Sequence, residues 1–392
     1  MLNIILGIIL ALIVFFIIVL FHEFGHFIFA RIFGVKVDEF GIGIPPKIKD
    51  IYTDKKGTVY TLNALPIGGF VKLKGENFDA GEAEGKDSLV NKPVWQQIIV
   101  VLAGIFMNLV LAFLIFAFLF NVGVKPIALN EKFETRTETK LIPSRAQAIK
   151  SGLLVQKINF LPLEGTPASN AGIKDLDVLI SINGKTFSKV EDVKKFIGES
   201  KEVLNMKISR EGKEISLSVA PKDGKIGTYI LPDYIDPNFT YKYGFFESIK
   251  EGAIETKNQF FLGYEILGWL GKKIFAPTND KERTEAVENL GGPIAIGDLF
   301  VKMVENNVGY AFILIIGALI SINLGFFNLI PFPALDGGRA FLLIINKIGT
   351  FLFGKKFVGG KMENLVHIVG FSCLIILSLL IAFKDVLKIV HN

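Results

Sequence analysis

One cysteine, Cys373, is present among 392 residues, which excludes an internal disulfide framework. Cys373 lies in an apolar run, where a small, half-apolar side chain packs easily, and it reads as structural. Positive charge is not concentrated anywhere. The net charge is only +5 and no basic run stands out, so no nucleic-acid partner is expected. Charge of either sign is missing altogether from Ile4–Phe21. Ile98–Phe120 is broken only by Asn108 and small residues, and Ala311–Leu335 only by Ser321, Asn323 and Asn328. Leu365–Phe383 is a fourth such run, with His367 near its start.

These runs exclude an ordinary soluble protein. Hydrophobic residues make up 51% and the mean hydropathy is +0.47. A bilayer crossing takes about 20 residues, so four spans are expected. The first run is not read as a secretory signal. Met1–Asn3 carry no basic side chain, no small-x-small cleavage site follows, and the helical pattern continues through Arg31. Lys and Arg in short loops mark the cytoplasmic side. Arg31 and Lys36 follow the first span, and Arg339, Lys347, Lys355, Lys356 and Lys361 separate the third from the fourth. Both sets point to the cytoplasm, which puts both termini and the long segment Val122–Asn307 outside.

Between spans one and two, "VKVDEFGIGIPPKI" and "TVYTLNALPIGGFVKL" alternate apolar and polar residues and are punctuated by Gly and Pro. They read as extended strands with turns. Gly75–Lys92 is acidic and reads as a mobile surface loop. After span two, the polar stretch Asn130–Lys140 reads as a linker. Leu141–Pro221 has soluble-domain composition, with a helix at Val190–Glu199 and strands at Asn205–Arg210 and Glu214–Ala220. In Gly244–Ile274, apolar residues recur at three- and four-residue steps, which predicts an amphipathic helix. Composition leaves two places for it, along the membrane surface or against the module before it.

The end of the first span reads "VLFHEFGHFIFA". His22 and His26 are four apart and so share one helix face, one turn from each other. Two neutral imidazoles so placed hold one metal ion, and zinc suits histidine with oxygen ligands. Glu23 beside them completes HExxH, in which the glutamate serves as general base. The bland alternative is polar packing in a helix bundle. Each charged residue near a bilayer centre costs about 2.5–3.5 kcal/mol on insertion scales, which favours a functional site. Eighteen residues rise about 27 Å on a helix, which puts His22 near the cytoplasmic edge of the hydrocarbon.

A catalytic zinc site normally has three protein ligands. His391 lies at the tail, on the expected outer face, and His367, at the inner end of span four, is a second candidate with no motif around it. Asp336 in "NLIPFPALDGGRA" is the better third ligand. Pro331 and Pro333 break the helix there, and Gly337 and Gly338 allow close backbone approach. The competing reading of Asp336 is a helix N-cap.

"HEFGH" together with "NLIPFPALDGG" resembles the site-2 protease family of intramembrane zinc metalloproteases, in its bacterial regulator-of-sigma-E form. "FGIGIP" resembles the family's membrane-associated β-loop, "ALPIGGFVKL" and "LAGIFMN" its second-span region, and "NLGGPIAI" the approach to its third span. Leu141–Pro221 is similar to the PDZ domain of bacterial members, present once here. The usual Gly-Pro before Asn108 is Gly104-Ile105, which predicts a less kinked second span.

The resemblance implies a polytopic α-helical membrane protein with four transmembrane helices, a membrane-associated β-loop and one inserted PDZ-like α/β domain. The expected order starts with the HExxH span at 1–33, the β-loop and cytoplasmic segment at 34–93, a span at 94–121 and a linker at 122–140. The PDZ-like domain at 141–222 and an amphipathic helical region at 223–306 follow. A third span with LDGG at 307–338, a cytoplasmic loop at 339–363 and a span at 364–390 complete it. One Zn²⁺ held by His22, His26 and Asp336, with Glu23 as base, is implied. Asn328, Gly41, Gly43 and Asn108 are implied substrate-binding positions, with the Tyr60–Leu65 strand offered as an edge for the substrate. Substrates would be single-span membrane proteins such as anti-sigma factors or remnant signal peptides, cut in a bacterial inner membrane. The competing functions are a metal transporter, which needs polar positions along several spans, and an inert peptide-binding scaffold, which would not need Glu23.

Overall fold

The computed structural model describes residues 2–76, 85–130, 133, 135–288, 290–355 and 357–391. Parts of the expected acidic loop and of the linker lie outside these. The chain divides into two compact units, one of residues 1–124, 133–139 and 242–392, the other of residues 125–132 and 140–241.

The first unit opens with α1, Leu2–Ile32, an unbroken apolar helix without proline. It stops at Gly34, whose φ of +65° turns the chain out of the helix. Strands β1 (Val37–Thr53) and β2 (Val59–Leu73) follow. Each bends and pairs in two places. Val37–Ile42 lies against Gly69–Leu73, and Lys47–Thr53 against Val59–Asn63. Glu39–Ile42 also lies beside Val59–Leu62. Thr61, for example, faces both Gly41 and Asp50. The segment Tyr60–Leu62 is therefore interior, and the expectation of an open edge over Tyr60–Leu65 is corrected for these three residues. Among the described residues the open edge nearest α1 is Gly69–Leu73. The hairpin is tied to α1 by Arg31, whose guanidinium donates to the Asp54 carboxylate and, at 2.7 Å, to Thr58 Oγ1. Helix α2, Val94–Val122, starts directly after Pro93 and runs without a break through Gly104-Ile105.

The second unit is an α/β module. Helix α3 (Arg145–Ser151) is N-capped by Ser144 and closed by Gly152 in the left-handed region. Strand β3 (Leu154–Val155), β4 (Asn159–Pro162), helix α4 (Pro167–Asn170) and β5 (Val178–Ile182) come next. Helix α5 (Val190–Glu199) is followed by β6 (Leu204–Arg210), β7 (Lys213–Val219), β8 (Thr228–Leu231) and β9 (Tyr234–Ile235). Five strands form an antiparallel sheet in the order β7-β6-β5-β4-β8, and β3 pairs with β9. Val193 and Ile197 of α5 bury against Phe160, Ile182, Met206 and Ile208. The fully buried Asp177 is bonded by the Arg210 guanidinium at 2.8 and 2.7 Å, a two-point pairing. The unit runs to Tyr241, beyond the end expected near residue 222. Strands of four and two residues leave no readable alternation, which is why β8 and β9 were not expected.

The remainder of the first unit is helical. Helix α6, Phe245–Phe275, is continuous over 31 residues despite three internal glycines after Gly252. Its buried face is Ser248, Gly252, Glu255, Thr256, Gln259 and Leu262, whereas Phe246, Phe261 and Tyr264 are exposed. A Cβ on Gly252 would lie 2.7 Å from the Ala117 nitrogen of α2, so small residues bring these helices together. The polar face turned inward and the aromatic face turned outward match a lipid surrounding. Then come α7 (Asp280–Glu288), α8 (Pro293–Glu305), α9 (Tyr310–Leu329), α10 (Asp336–Phe353) and α11 (Gly360–His391). Among the described residues, four helices are long and apolar enough to cross a membrane: α1, α2, α9 and, within α11, Leu365–Leu387. The LDGG motif is not part of the third of these. Helix α9 ends at Leu329, ahead of Pro331, and Asp336 is the first residue of α10. The expected loop at 339–363 is largely this helix, whose Phe341, Ile344, Ile348 and Phe351 line one exposed face.

Candidate metal centre

Helix α1 carries His22 and His26 on one face, with ring centroids 4.9 Å apart. The two Nε2 atoms are 3.3 Å from each other. Asp336 Oδ2 lies 3.1 Å from His22 Nε2 and 3.5 Å from His26 Nε2. One donor atom from each residue falls within 4.8 Å of the others. His367 is not in this group. Asp336 reaches the histidines because the chain turns back sharply after α9. A Cβ on Gly338 would lie 2.1 Å from the Phe332 carbonyl, so only glycine fits the turn.

The hydrogen bonds around the rings fix what these atoms are. His26 Nδ1 lies 2.8 Å from the Val100 carbonyl of α2, which can only accept. Nδ1 therefore carries a proton, and in the neutral ring, the form that binds a metal, Nε2 turns a lone pair toward Asp336. His22 Nδ1 lies 3.1 Å from the Asn108 amide, and Asn108 Oδ1 is buried without a partner. Rotating the amide by half a turn lets Oδ1 accept a His22 Nδ1 proton. His22 Nε2 is then a second lone pair facing the same point. Asp336 Oδ2 is itself buried without a hydrogen-bond donor. Three acceptors converging in a buried space repel one another unless a cation joins them. The donor set fits a zinc ion, and its space is kept open by Gly104. A Cβ on Gly104 would lie 2.6 Å from both Nε2 atoms.

Glu23 lies beside the donors and accepts from the Val71 N–H of β2 at 3.1 Å. Two residues along the same strand, the Leu73 N–H donates at 3.3 Å to Glu76. The Glu76 carboxylate is paired with the Arg339 guanidinium, which also donates to the Glu76 carbonyl at 2.8 Å. His22, Glu23, His26, Asp336, Glu76 and Arg339 line one cavity of about 110 Å³. The expected substrate positions are elsewhere. Asn108 is fully buried behind His22, Asn328 is half-buried, and Gly41 and Gly43 lie inside the β1–β2 ribbon; none lines the cavity. Asn108 thus meets the His22 ring and is not among the residues that line the cavity.

A chain with HExxH on one apolar helix and a buried aspartate meeting it from a second segment invites comparison with known proteases. The Peptidase family M50 model matches residues 10–377. The chain belongs to Peptidase family M50, the site-2 proteases. A Campylobacter jejuni protein named "Putative zinc metalloprotease Cj1068" is 31% identical over 383 residues, covering 95% of this chain and 91% of that protein. A Clostridium perfringens protein of similar name is 30% identical, covering 97% and 98%. An Enterococcus faecalis protein, "Probable protease eep", is 28% identical, covering 96% and 97%. As an M50 protein the chain is a zinc metalloprotease of multi-pass membrane type.

The family motifs were legible one by one, but some neighbours of the M50 site were not. Arg339 follows Asp336 by one helical turn, a spacing that signals a shared face. Val71 and Glu76 carry no local signal, because their approach depends on how β2 folds back on α1.

Proposed function

We propose that this chain cuts peptide bonds within or beside membrane-spanning segments of single-span proteins, on the cytoplasmic side of a bacterial plasma membrane. One observation carries the reading. Two of the three metal donors sit on an apolar helix long enough to cross the membrane, so the reacting bond must come to the bilayer. The donor set argues against a metal transporter, since the grouped ligands lie at one place rather than along a path.

His22, His26 and Asp336 are proposed to hold the zinc ion, with His26 held by Val100 and His22 by Asn108. When bound, zinc acts as a Lewis acid that polarises the scissile carbonyl and lowers the pKa of water toward about 7. Glu23 takes the proton of the attacking water as its oxygen bonds to the carbonyl carbon. It then delivers that proton to the amine nitrogen as the carbon–nitrogen bond breaks. The cavity of about 110 Å³ has room for only a few waters, at about 30 Å³ each, so a peptide must displace neighbouring groups to enter.

A membrane helix hides its carbonyls in its own hydrogen bonds, so the substrate must unwind before cleavage. The Gly69–Leu73 edge is proposed to receive the unwound stretch as an added strand. The α/β unit is read as PDZ-like, and either binds a peptide terminus or screens substrates that are still bulky outside. Anti-sigma factors and remnant signal peptides are the substrate types this reading favours.

The test is cleavage of a single-span reporter by purified protein in lipid. Wild type is expected to cut, chelator to stop it, and added Zn²⁺ to restore it. Glu23→Gln is expected to keep its zinc and lose nearly all activity. A Glu23→Gln variant that cuts at the wild-type rate refutes the assignment of the base.

A further inference from the structure

The turn between α9 and α10 presents Asp336 to the two histidines, so whatever fixes that turn fixes the third donor. Ala334 within it has φ +78°, a backbone region that alanine rarely enters. Its neighbours close the turn through backbone bonds, Phe332 N–H to the Ile330 carbonyl at 2.7 Å and Leu335 N–H to the Phe332 carbonyl at 3.1 Å. Among the described residues, one side chain from outside the turn bonds its backbone. The Ala334 N–H donates to His367 Nδ1 of α11 at 3.0 Å. One helical turn further on, Gly370 is pressed against the same segment. A Cβ there would lie 2.5 Å from Pro333 Cβ and 2.6 Å from its carbonyl oxygen. The start of α11 thus grips Pro333 by close packing and Ala334 by a hydrogen bond.

The choice of histidine is informative. A backbone N–H can only donate, so His367 Nδ1 is the bare nitrogen and the proton sits on Nε2. Nε2 is buried and has no partner among the described residues. A leucine would avoid burying that unsatisfied N–H, so the bond to Ala334 has to justify the histidine. His367 lies outside the group formed by His22, His26 and Asp336.

We propose that His367 is a positioning residue for the proposed ligand Asp336. By holding Ala334 in its left-handed conformation, it sets the turn that aims the Asp336 carboxylate at His22 and His26. This rests on the metal-ligand reading above. Partners of metal ligands typically change affinity or activity by about 10–100-fold when removed.

The experiment contrasts two polar replacements in the full-length protein in lipid. In His367→Asn the side-chain oxygen takes the place of Nδ1, whereas in His367→Gln it falls near the place of Nε2. Zinc release to a chelator, kcat and KM on a single-span reporter, and the unfolding temperature are measured for each. His367→Gln is expected to lose zinc about tenfold faster and to show a reduced kcat with KM nearly unchanged. His367→Asn is expected to stay within about threefold of wild type on both counts. Zinc release and kcat like wild type in His367→Gln overturn the proposal. So does equal damage in both variants with equally lowered unfolding temperatures, which marks a packing role. Asp336→Asn separates the two readings. If it keeps zinc as well as wild type, the ligand assignment fails and the proposal with it. If it loses zinc while His367→Gln does not, only the role of His367 fails.

Discussion

Asn108 and His22 meet amide to ring, 3.1 Å apart, with the asparagine fully buried in α2 and the histidine on α1. The contact reaches further, because the Ser321 hydroxyl of α9 donates to the Asn108 carbonyl at 2.9 Å. Three apolar helices are thus joined at the level of one ring nitrogen. Asn108→Leu, similar in size but unable to accept, is expected to weaken zinc affinity about 10–100-fold. Asn108→Asp, which can only accept when ionised, is expected to keep most of it. Competition with a chelator of known affinity measures both, and equal affinities for the two variants contradict the bond.

Gly104 faces the same rings from α2. An added Cβ would sit 2.6 Å from both Nε2 atoms, in the space the donors need. Gly104→Ala is expected to lower bound zinc to below about a tenth of wild type while helix content stays unchanged. Elemental analysis and circular dichroism check the two halves of this statement. A fully zinc-loaded Gly104→Ala variant contradicts it.

Glu76 occupies the Leu73 N–H on the edge proposed for substrate. Removing one competing hydrogen bond, worth about 1 kcal/mol, is expected to lower KM about fivefold in Glu76→Ala. Arg339 loses its partner in that variant, so Glu76→Ala with Arg339→Ala is the companion measurement. An unchanged KM in both counts against this edge as the docking strand.

Acid should release the β1–β2 hairpin from α1. The Arg31 hydrogen bond holds the Asp54 carboxyl down to about 2. The unfolded value is about 3.9, so the folded value is the lower one. The contribution of Asp54 is therefore present above about pH 4 and lost as the pH falls through about 2. Amide protection in the hairpin, compared with that in Asp54→Asn, is expected to fall across that window. Parallel profiles for the two proteins contradict the link.

Much of this molecule is readable in its sequence. The four apolar runs follow from composition, because a bilayer tolerates few charges. His22 and His26 follow from the helical repeat, and the prolines after Leu329 mark where α9 has to end. What escaped depends on distant register. Tyr60–Leu62 looks like an edge in the sequence and is interior because β1 bends and flanks it on both sides. The amphipathic α10 was obscured by its glycines and by basic residues that read as a loop. The motif around Asn108 says that a polar group is needed, not that it meets the His22 ring.

The Gly69–Leu73 edge has a consequence for selectivity. The N–H groups of Val71 and Leu73 point outward, and carboxylates of the chain already satisfy both. A docking strand would exchange partners one for one, freeing Glu23 as it bonds Val71. The two N–H groups make the same number of hydrogen bonds before and after, so their exchange supplies little net affinity. Discrimination between substrates then falls to side chains and to the ease with which each helix unwinds. The enzyme would read how readily a segment comes apart rather than a fixed string of residues.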